Sequence, residues 1–243
     1  MPLPTQAQHL RDTTLELKIL PVDEFGATLR TVSPAIITVG TAAVAGATSI
    51  QLSAAADITI RAGSSLSFVA SAPTGKYGRQ QVLFTEGADI TDTPASFTVS
   101  PLYRAIAASS TAEVFEGMLP LAGVTVADMS NQETQVDSTD FMSQTGTEAE
   151  LIRVARTFAV SLNHRVGDEC LENIVKPVGS FDSALFGREV YSIITLPDGE
   201  QFKGAAKLMG LNLPMNQNEI KKATFSLMYQ GMSFVHVRPY EFA

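Results

Sequence analysis

Residues 152–163 read IRVARTFAVSLN, and apolar side chains recur at every second position over most of this stretch. A period of two predicts a β-strand with one buried face, here long enough to cross a sheet and protrude from it. Residues 188–211 read REVYSIITL, then PDG, then EQFKGAAKLMGL. An Asp-Gly pair between two alternating runs is a strong hairpin signal. Both stretches predict a mainly β protein with antiparallel strands.

The same alternation recurs towards both ends of the chain. Residues 13–20 (TTLELKIL) predict an opening strand, and residues 223–230 (ATFSLMYQ) predict a closing one. Residues 124–129 and 133–136 predict two shorter strands before the long one. The 243 residues are long enough for one large β domain or for one domain that carries an inserted second one.

Only one segment predicts a helix. Asp168 is suited to cap its start, Glu172 favours the positive end of the helix dipole, and Lys176 favours the negative end before Pro177 and Gly179 stop it. Its apolar residues form a single stripe, so we expect this helix to pack on a sheet.

The composition changes between about residues 33 and 111, where Ala, Ser, Thr and Gly dominate and charges are sparse. Short alternating runs separated by glycines predict a small all-β module. Within it, residues 49–53 (SIQLS) resemble residues 96–100 (SFTVS), and each run is followed by a second similar run. We interpret this echo as two similar hairpin units, with chance similarity as the alternative.

Residues 137–150 read DSTDFMSQTGTEAE, fourteen mainly polar residues with neither a strand nor a helix period. Loops longer than about 12 residues are uncommon unless they are functional or disordered. A loop that becomes ordered against a neighbouring molecule is one interpretation.

The charge balance argues against a nucleic-acid-binding protein. Lys and Arg number 17 against 25 Asp and Glu, which gives a formal net charge of -8 and a pI of about 4.9. Proteins that grip phosphates need clustered positive charge. Charged residues make up 17% of the chain, below the roughly 25% of an average soluble domain, which favours a surface covered by partners.

Residues that carry chemistry are scarce. Cys170 is the only cysteine, so neither an intrachain disulfide nor a multi-cysteine metal site can form. The three histidines have no ligand-spaced partners, and Gly-x-Ser-x-Gly and phosphate-loop motifs are absent. We predict no enzyme activity, no catalytic residue, no metal and no cofactor. Because no run reaches about 18 apolar residues and the start does not resemble a signal peptide, we expect cytoplasmic synthesis and no membrane insertion.

The order of these features resembles the tail-tube proteins of long-tailed bacteriophages and the related inner tubes of contractile injection systems. The resemblance covers residues 13–20 and most of residues 118–231, including LPLAGVTVADMSNQETQVDSTDFMSQ, LPDGEQFKGAAKLMGLNL and ATFSLMYQG. In such proteins a Val-Asp-Ser-Thr-Asp-like run, here residues 136–140, leads into a long loop and then a long strand. Residues 47–112 resemble Ala/Gly/Thr-rich β segments of phage tail proteins.

The resemblance implies a structural virion protein with a β-sandwich or barrel-like tail-tube fold. Six copies would form a ring, and stacked rings would form the tube through which DNA enters the host without specific binding. Residues 1–33 and 113–243 would form the tube domain, and residues 34–112 would be an inserted module on the tube exterior. The long loop would join stacked rings through Asp137, Asp140, Phe141, Gln144, Glu148 and Glu150.

The implied partners are other copies of the chain, a tape-measure protein, the tail-tip or baseplate hub, a tail terminator and, in a contractile tail, a sheath. The implied location is the virion tail, assembled in the host cytoplasm. Two alternatives remain open. One is an inner-tube protein of a contractile injection system, and the other is a β-sandwich module that binds receptors or glycans. Because tryptophan is absent and the aromatics fall mainly within strands, the second alternative is less favoured.

Overall fold

The chain folds mainly into antiparallel β-strands with one short helical segment, as the alternation predicts. The computed structural model describes residues 13–30, 32–70, 77–137, 149–163, 165, 167–213, 222–229, 234–238 and 240–241. The strands are β1 Thr14–Ile19, β2 Ala35–Thr41, β3 Ser49–Ala54, β4 Ile58–Ile60, β5 Ser65–Ala70, β6 Tyr77–Leu83, β7 Ala88–Ile90, β8 Ala95–Thr98, β9 Thr111–Val114, β10 Leu119–Leu121, β11 Val124–Asp137, β12 Ala149–Asn163, β13 Glu189–Thr195, β14 Gln201–Asn212, β15 Lys222–Tyr229, β16 Val235–Val237 and β17 Tyr240–Glu241.

The largest sheet has the order β10-β1-β13-β14-β15-β12-β11, with β16 paired to the first part of β14. The predicted opening and closing strands are confirmed as β1 and β15. The predicted hairpin is confirmed as β13 and β14, and its turn contains Gly199 at φ +83°. The Asp-Gly pair predicted this turn because glycine adopts a positive φ at little cost.

The large sheet curls around a hydrophobic core. Leu15 and Leu17 of β1 face this core, as do Phe158 of β12 and Phe202 of β14. The rings of Phe158 and Phe202 lie 5.2 Å apart although β15 separates their strands. The curl therefore lets distant strands share one core, and each strand also has an outer face.

A helical segment closes one side of the core. It contains a π-helical turn, Leu171–Val175, followed by α1, Lys176–Gly179, and its apolar residues are buried. The predicted cap is confirmed, because the Asp168 carboxylate accepts the Leu171 N–H at 2.8 Å. The helical segment runs through Pro177 and ends at Gly179, so of the two predicted stops Gly179 is confirmed and Pro177 is wrong. Pro177 follows a π-helical turn and lies in the first turn of α1, where proline is tolerated.

Residues 35–114 have a hydrophobic core of their own. Its strands form a four-stranded sheet, β8-β3-β2-β9, the pair β4–β7, and a sheet in which β17 extends β5 and β6. The predicted echo does not correspond to two hairpin units. Its two first runs fall in β3 and β8, which pair with each other so that Ile50 lies opposite Phe97.

The module of residues 35–114 packs on the outer face of β1, β13 and β14. The Ser67 hydroxyl donates a 2.6 Å hydrogen bond to the Gly199 carbonyl oxygen in the β13–β14 turn. Thr14 of β1 hydrogen-bonds Ser65 at 2.5 Å, and buried Lys203 of β14 pairs with Glu113. The module therefore covers the outer face of β1, β13 and β14, whereas the described outer side chains of β15 and β12 are exposed or half-buried.

Candidate assembly surface

The long strands β11 and β12 form a hairpin, and the end of this hairpin extends beyond the sheet. They pair from Val124 opposite Leu162 to Asp137 opposite Ala149. Strand β15 pairs with β12 only between Thr157 and Asn163. In the part of the chain that the structure describes, residues 149–156 have no strand partner other than β11. Residues 149–156 and the part of β11 that pairs with them therefore form a two-stranded extension of the sheet, which is called the ribbon below.

The structure corrects the predicted boundaries of this region. Asp137 is the last residue of β11, and Glu150 lies in β12 opposite Val136. The predicted loop is thus shorter than fourteen residues, and the predicted gap between residues 129 and 133 is occupied by strand. Two strands pair through their backbones whether or not apolar residues alternate along them. The polar sequence here therefore gave no sign that the strands continue. Four predicted site residues lie outside the described residues, namely Asp140, Phe141, Gln144 and Glu148.

The two edges of the large sheet differ in length. Strand β11 occupies one edge, and among the described strands none pairs with its outer side along fourteen residues. At the other edge β10 has three residues and covers only Leu15 to Leu17 of β1. Unpaired N–H and C=O groups on an edge strand are a template for pairing with another chain. The sheet is therefore open to extension, most of all along β11.

Among the described side chains, the outer face of β15 and β12 carries mostly small residues, together with Met228, and little charge. Residues on this face include Ala159 and Ser161 of β12, with Thr224 and Ser226 of β15. The described charged side chains on this face of β11, β12 and β15 are Asp128 and Lys222. The described part of this face therefore carries one acidic and one basic side chain.

Buried Glu16 was not singled out from the sequence. Alternation in β1 places Leu15 and Leu17 in the core and Glu16 on the outer face, where solvent would be expected. The module of residues 35–114 covers that face, and burial raises the pKa of Glu16 to about 7. No local pattern reveals this contact, because Ser65, which bonds Glu16, is 49 residues away in sequence.

Groups that could carry catalysis do not converge in the described residues. No cluster of three or more His, Cys, Asp or Glu residues is placed to hold a metal ion within these ranges. Cys170 is fully buried, and this burial raises the pKa of its thiol. His236 contacts Glu200 at 2.6 Å and stacks on Phe202. Within the same ranges, no helix is both long and apolar enough to cross a membrane.

Comparison with known proteins yields no match to any protein-family model or to any curated protein sequence. The geometry consists of an open sheet with unequal edges, a ribbon that leaves it, and a small-residue outer face.

Proposed function

We propose that this protein is a structural subunit of a tube, of the kind that forms the tail tube of a long-tailed bacteriophage. Copies join side by side into a ring, and rings stack into a hollow tube that conducts DNA. The observation that carries the proposal is the fourteen-residue edge of β11, which is open within the described part of the chain and continuous with a ribbon that pairs with no other described strand. The protein has no catalytic role in this assembly.

Ring formation accounts for the open edges. A strand edge as long as β11 is an aggregation liability unless another element covers it. Pairing the edge of one copy with the next copy around a closed ring satisfies these backbone groups and leaves no edge free. The resemblance sets the number of copies at six, whereas the geometry requires only that the ring close.

The module of residues 35–114, which the sequence predicted as residues 34–112, is proposed as an insertion in the tube domain. Ala35 pairs with Val114, so the chain enters and leaves the module at one place. Strands β1 and β10 before and after it pair directly, as the strands of a single hairpin do. Because the module covers the outer face of β1, β13 and β14, we place it on the tube exterior.

The exposed face of β15, β12 and β11 then lines the lumen. Small uncharged side chains leave few groups that could hold a phosphate backbone, and the acidic chain as a whole repels DNA. The same lumen accommodates a tape-measure protein before DNA passes. Further partners are the tail-tip or baseplate hub and the tail terminator at the two tube ends, and a sheath where the tail contracts.

The proposal is tested by following assembly of the purified chain over a wide range of protein concentration. Negative-stain electron microscopy identifies rings and hollow tubes, and sedimentation velocity measures their mass. Closed rings with a central channel support the proposal. A chain that stays monomeric at every concentration, including after mixing with tail-tip and tape-measure proteins, would rule it out.

A further inference from the structure

The face that the module turns towards the large sheet is polar. Ser65 and Ser67 of β5 lie on this face together with Gln81 of β6, because residues two apart on a strand share a face and Ser67 lies opposite Gln81. All three side chains are buried. Their apolar neighbours Leu66 and Val82 point the other way, into the core of the module. The module therefore contacts the sheet here through hydrogen-bonding groups and keeps a separate core.

Glu16 of β1 lies against this face and is 6% exposed. Its carboxylate accepts hydrogen bonds from the Ser65 N–H, at 2.8 Å, and from the Ser64 hydroxyl. Both donors are uncharged, and within the described residues Glu16 forms no ion pair. A carboxylate removed from water without a cation favours its neutral form. Burial accordingly raises the pKa of Glu16 to about 7.

Other titratable groups lie on the elements packed around Glu16. They are Lys18 of β1, Tyr191 of β13, Lys203 of β14, Arg61, Arg79 and Glu113 of the module, and Cys170 at the start of the helical segment. Strand β10, which pairs with β1 on its other side, has none. Lys203 pairs with Glu113, and Lys18 donates to the Glu116 carbonyl. Burial and the two hydrogen bonds account for the raised pKa of Glu16, so the charges of these neighbours do not set it.

The connections of the module allow it to move as one unit. It has a hydrophobic core of its own, and the pairing of Ala35 with Val114 brings the incoming and outgoing chain together. Next to this junction, Phe115 packs against Tyr191 of β13, with ring centroids 5.0 Å apart. Strand β17 pairs with β6 and forms a second connection. Loss of the contacts around Glu16 therefore parts the interface while both connections and the core of the module persist.

We propose that Glu16 is a pH-sensitive switch, in which the protonated side chain holds the module on the large sheet and the ionised side chain drives the two parts apart. Parting the interface returns water to the carboxylate. The docked state binds the Glu16 proton more tightly than the parted state, so docking is strongest below pH 4.5 and weakens as the pH rises to about 7. The parted fraction should therefore rise on the order of 100-fold between pH 5 and pH 8. The switch acts within one copy and does not depend on ring assembly.

The test measures how often the interface opens at each pH. Ser67→Cys places a thiol on the buried docking face, and Gln81→Cys is a second reporter on the same face if the first variant does not fold. The rate of maleimide labelling in the folded protein, divided by the rate in the unfolded chain at the same pH, gives the open fraction. Cys170, fully buried in the core of the large sheet, reports global unfolding in the same sample. We expect the reporter thiol to react faster than Cys170, with an open fraction that rises about 100-fold from pH 5 to pH 8.

Two Glu→Gln substitutions in the reporter background separate the switch from general effects of pH. Glu16→Gln removes the titrating group, so the open fraction should change by less than about threefold between pH 5 and pH 8. The matched control, Glu86→Gln, changes an exposed acid of the module and should keep the full rise. Circular dichroism at both pH values verifies that each variant is folded. An open fraction independent of pH, an unchanged rise in Glu16→Gln, or reporter labelling no faster than that of Cys170 would overturn the inference.

Discussion

The Glu16 carboxylate accepts a 2.8 Å hydrogen bond from the backbone N–H of Ser65, in a site closed to solvent. The bond joins β1 of the large sheet to β5 of the module of residues 35–114. Burial raises the pKa of Glu16 from 4.5 to about 7, and the hydrogen bonds from Ser65 and Ser64 lower it only partly. The contact between the two parts of the molecule therefore depends on pH.

Glu16→Gln should stabilise the protein above pH 7. The folded state binds the Glu16 proton more tightly than the unfolded state, so the contribution of this group is fully present below pH 4.5 and is lost as pH rises to about 7. The loss amounts to about 3 kcal/mol. Gln cannot ionise and keeps an acceptor for Ser65. Thermal unfolding between pH 5 and 8.5 should show a higher Tm for the variant at pH 8 and little difference at pH 5. An equal Tm difference at both pH values would contradict the assignment.

Gly199→Ala should weaken the contact between the β13–β14 turn and the module. Gly199 has φ +83°, and an added Cβ would lie 2.6 Å from the Gln80 backbone nitrogen. Gly46 is the matched control, because it has φ +84° and no atom within 4 Å of an added Cβ. Backbone strain alone costs about 1 kcal/mol at either site. We expect chemical denaturation to give a loss of about 1 kcal/mol for Gly46→Ala and at least about 3 kcal/mol for Gly199→Ala. Equal losses would show that the turn has room to move.

Single proline substitutions in β11 should show which backbone N–H groups are needed for folding and which are needed for ring assembly. Neighbouring residues of an edge strand point their N–H groups alternately towards β12 and towards the open edge. Met129→Pro and Ser130→Pro therefore form a matched pair, in which one removes a bond to β12 and the other removes an outward donor. We expect one variant to lower the Tm, and the other to keep the Tm and fail to form rings in sedimentation. Normal rings from the variant with unchanged Tm would exclude β11 as the ring contact.

Shortening the β11–β12 hairpin should prevent the stacking of rings without preventing ring formation. Deleting residues 138–147 removes the predicted inter-ring residues Asp140, Phe141 and Gln144, and the shortened hairpin can turn once the terminal pair Asp137–Ala149 opens. We expect closed rings that do not stack, visible by electron microscopy as single rings at concentrations where the wild type forms tubes. A deletion variant that forms tubes of normal length would show that these residues are dispensable for stacking.

Local signals predicted the parts of the fold that local chemistry decides. The β13–β14 hairpin follows from alternation and from Asp198-Gly199, and the start of the helical segment follows from the Asp168 cap. No local sequence signal predicted which strands pair when they lie far apart in the chain. Strands β3 and β8 are separated by forty residues of chain, and the similarity between them suggested two units where the structure has one sheet.

The candidate site was only partly predictable for the same reason. The polar composition of residues 137–150 correctly drew attention to the hairpin, but it also concealed the strand ends at Asp137 and Glu150. The open edge of β11 depends on the order of strands in the sheet, which periodicity does not determine. The ion pair between Arg30 and Glu189 joins residues 159 positions apart in the chain, and no local pattern indicates it.

The central claim is that copies of this chain close into rings through the edges of one curled sheet. The most direct measurement is negative-stain electron microscopy of the purified wild-type chain at low and high concentration, with sedimentation velocity on the same samples. We expect rings of uniform size with a central channel, and hollow stacks of those rings at high concentration. Monomers that remain single at every concentration, even when mixed with tail-tip and tape-measure proteins, would contradict it.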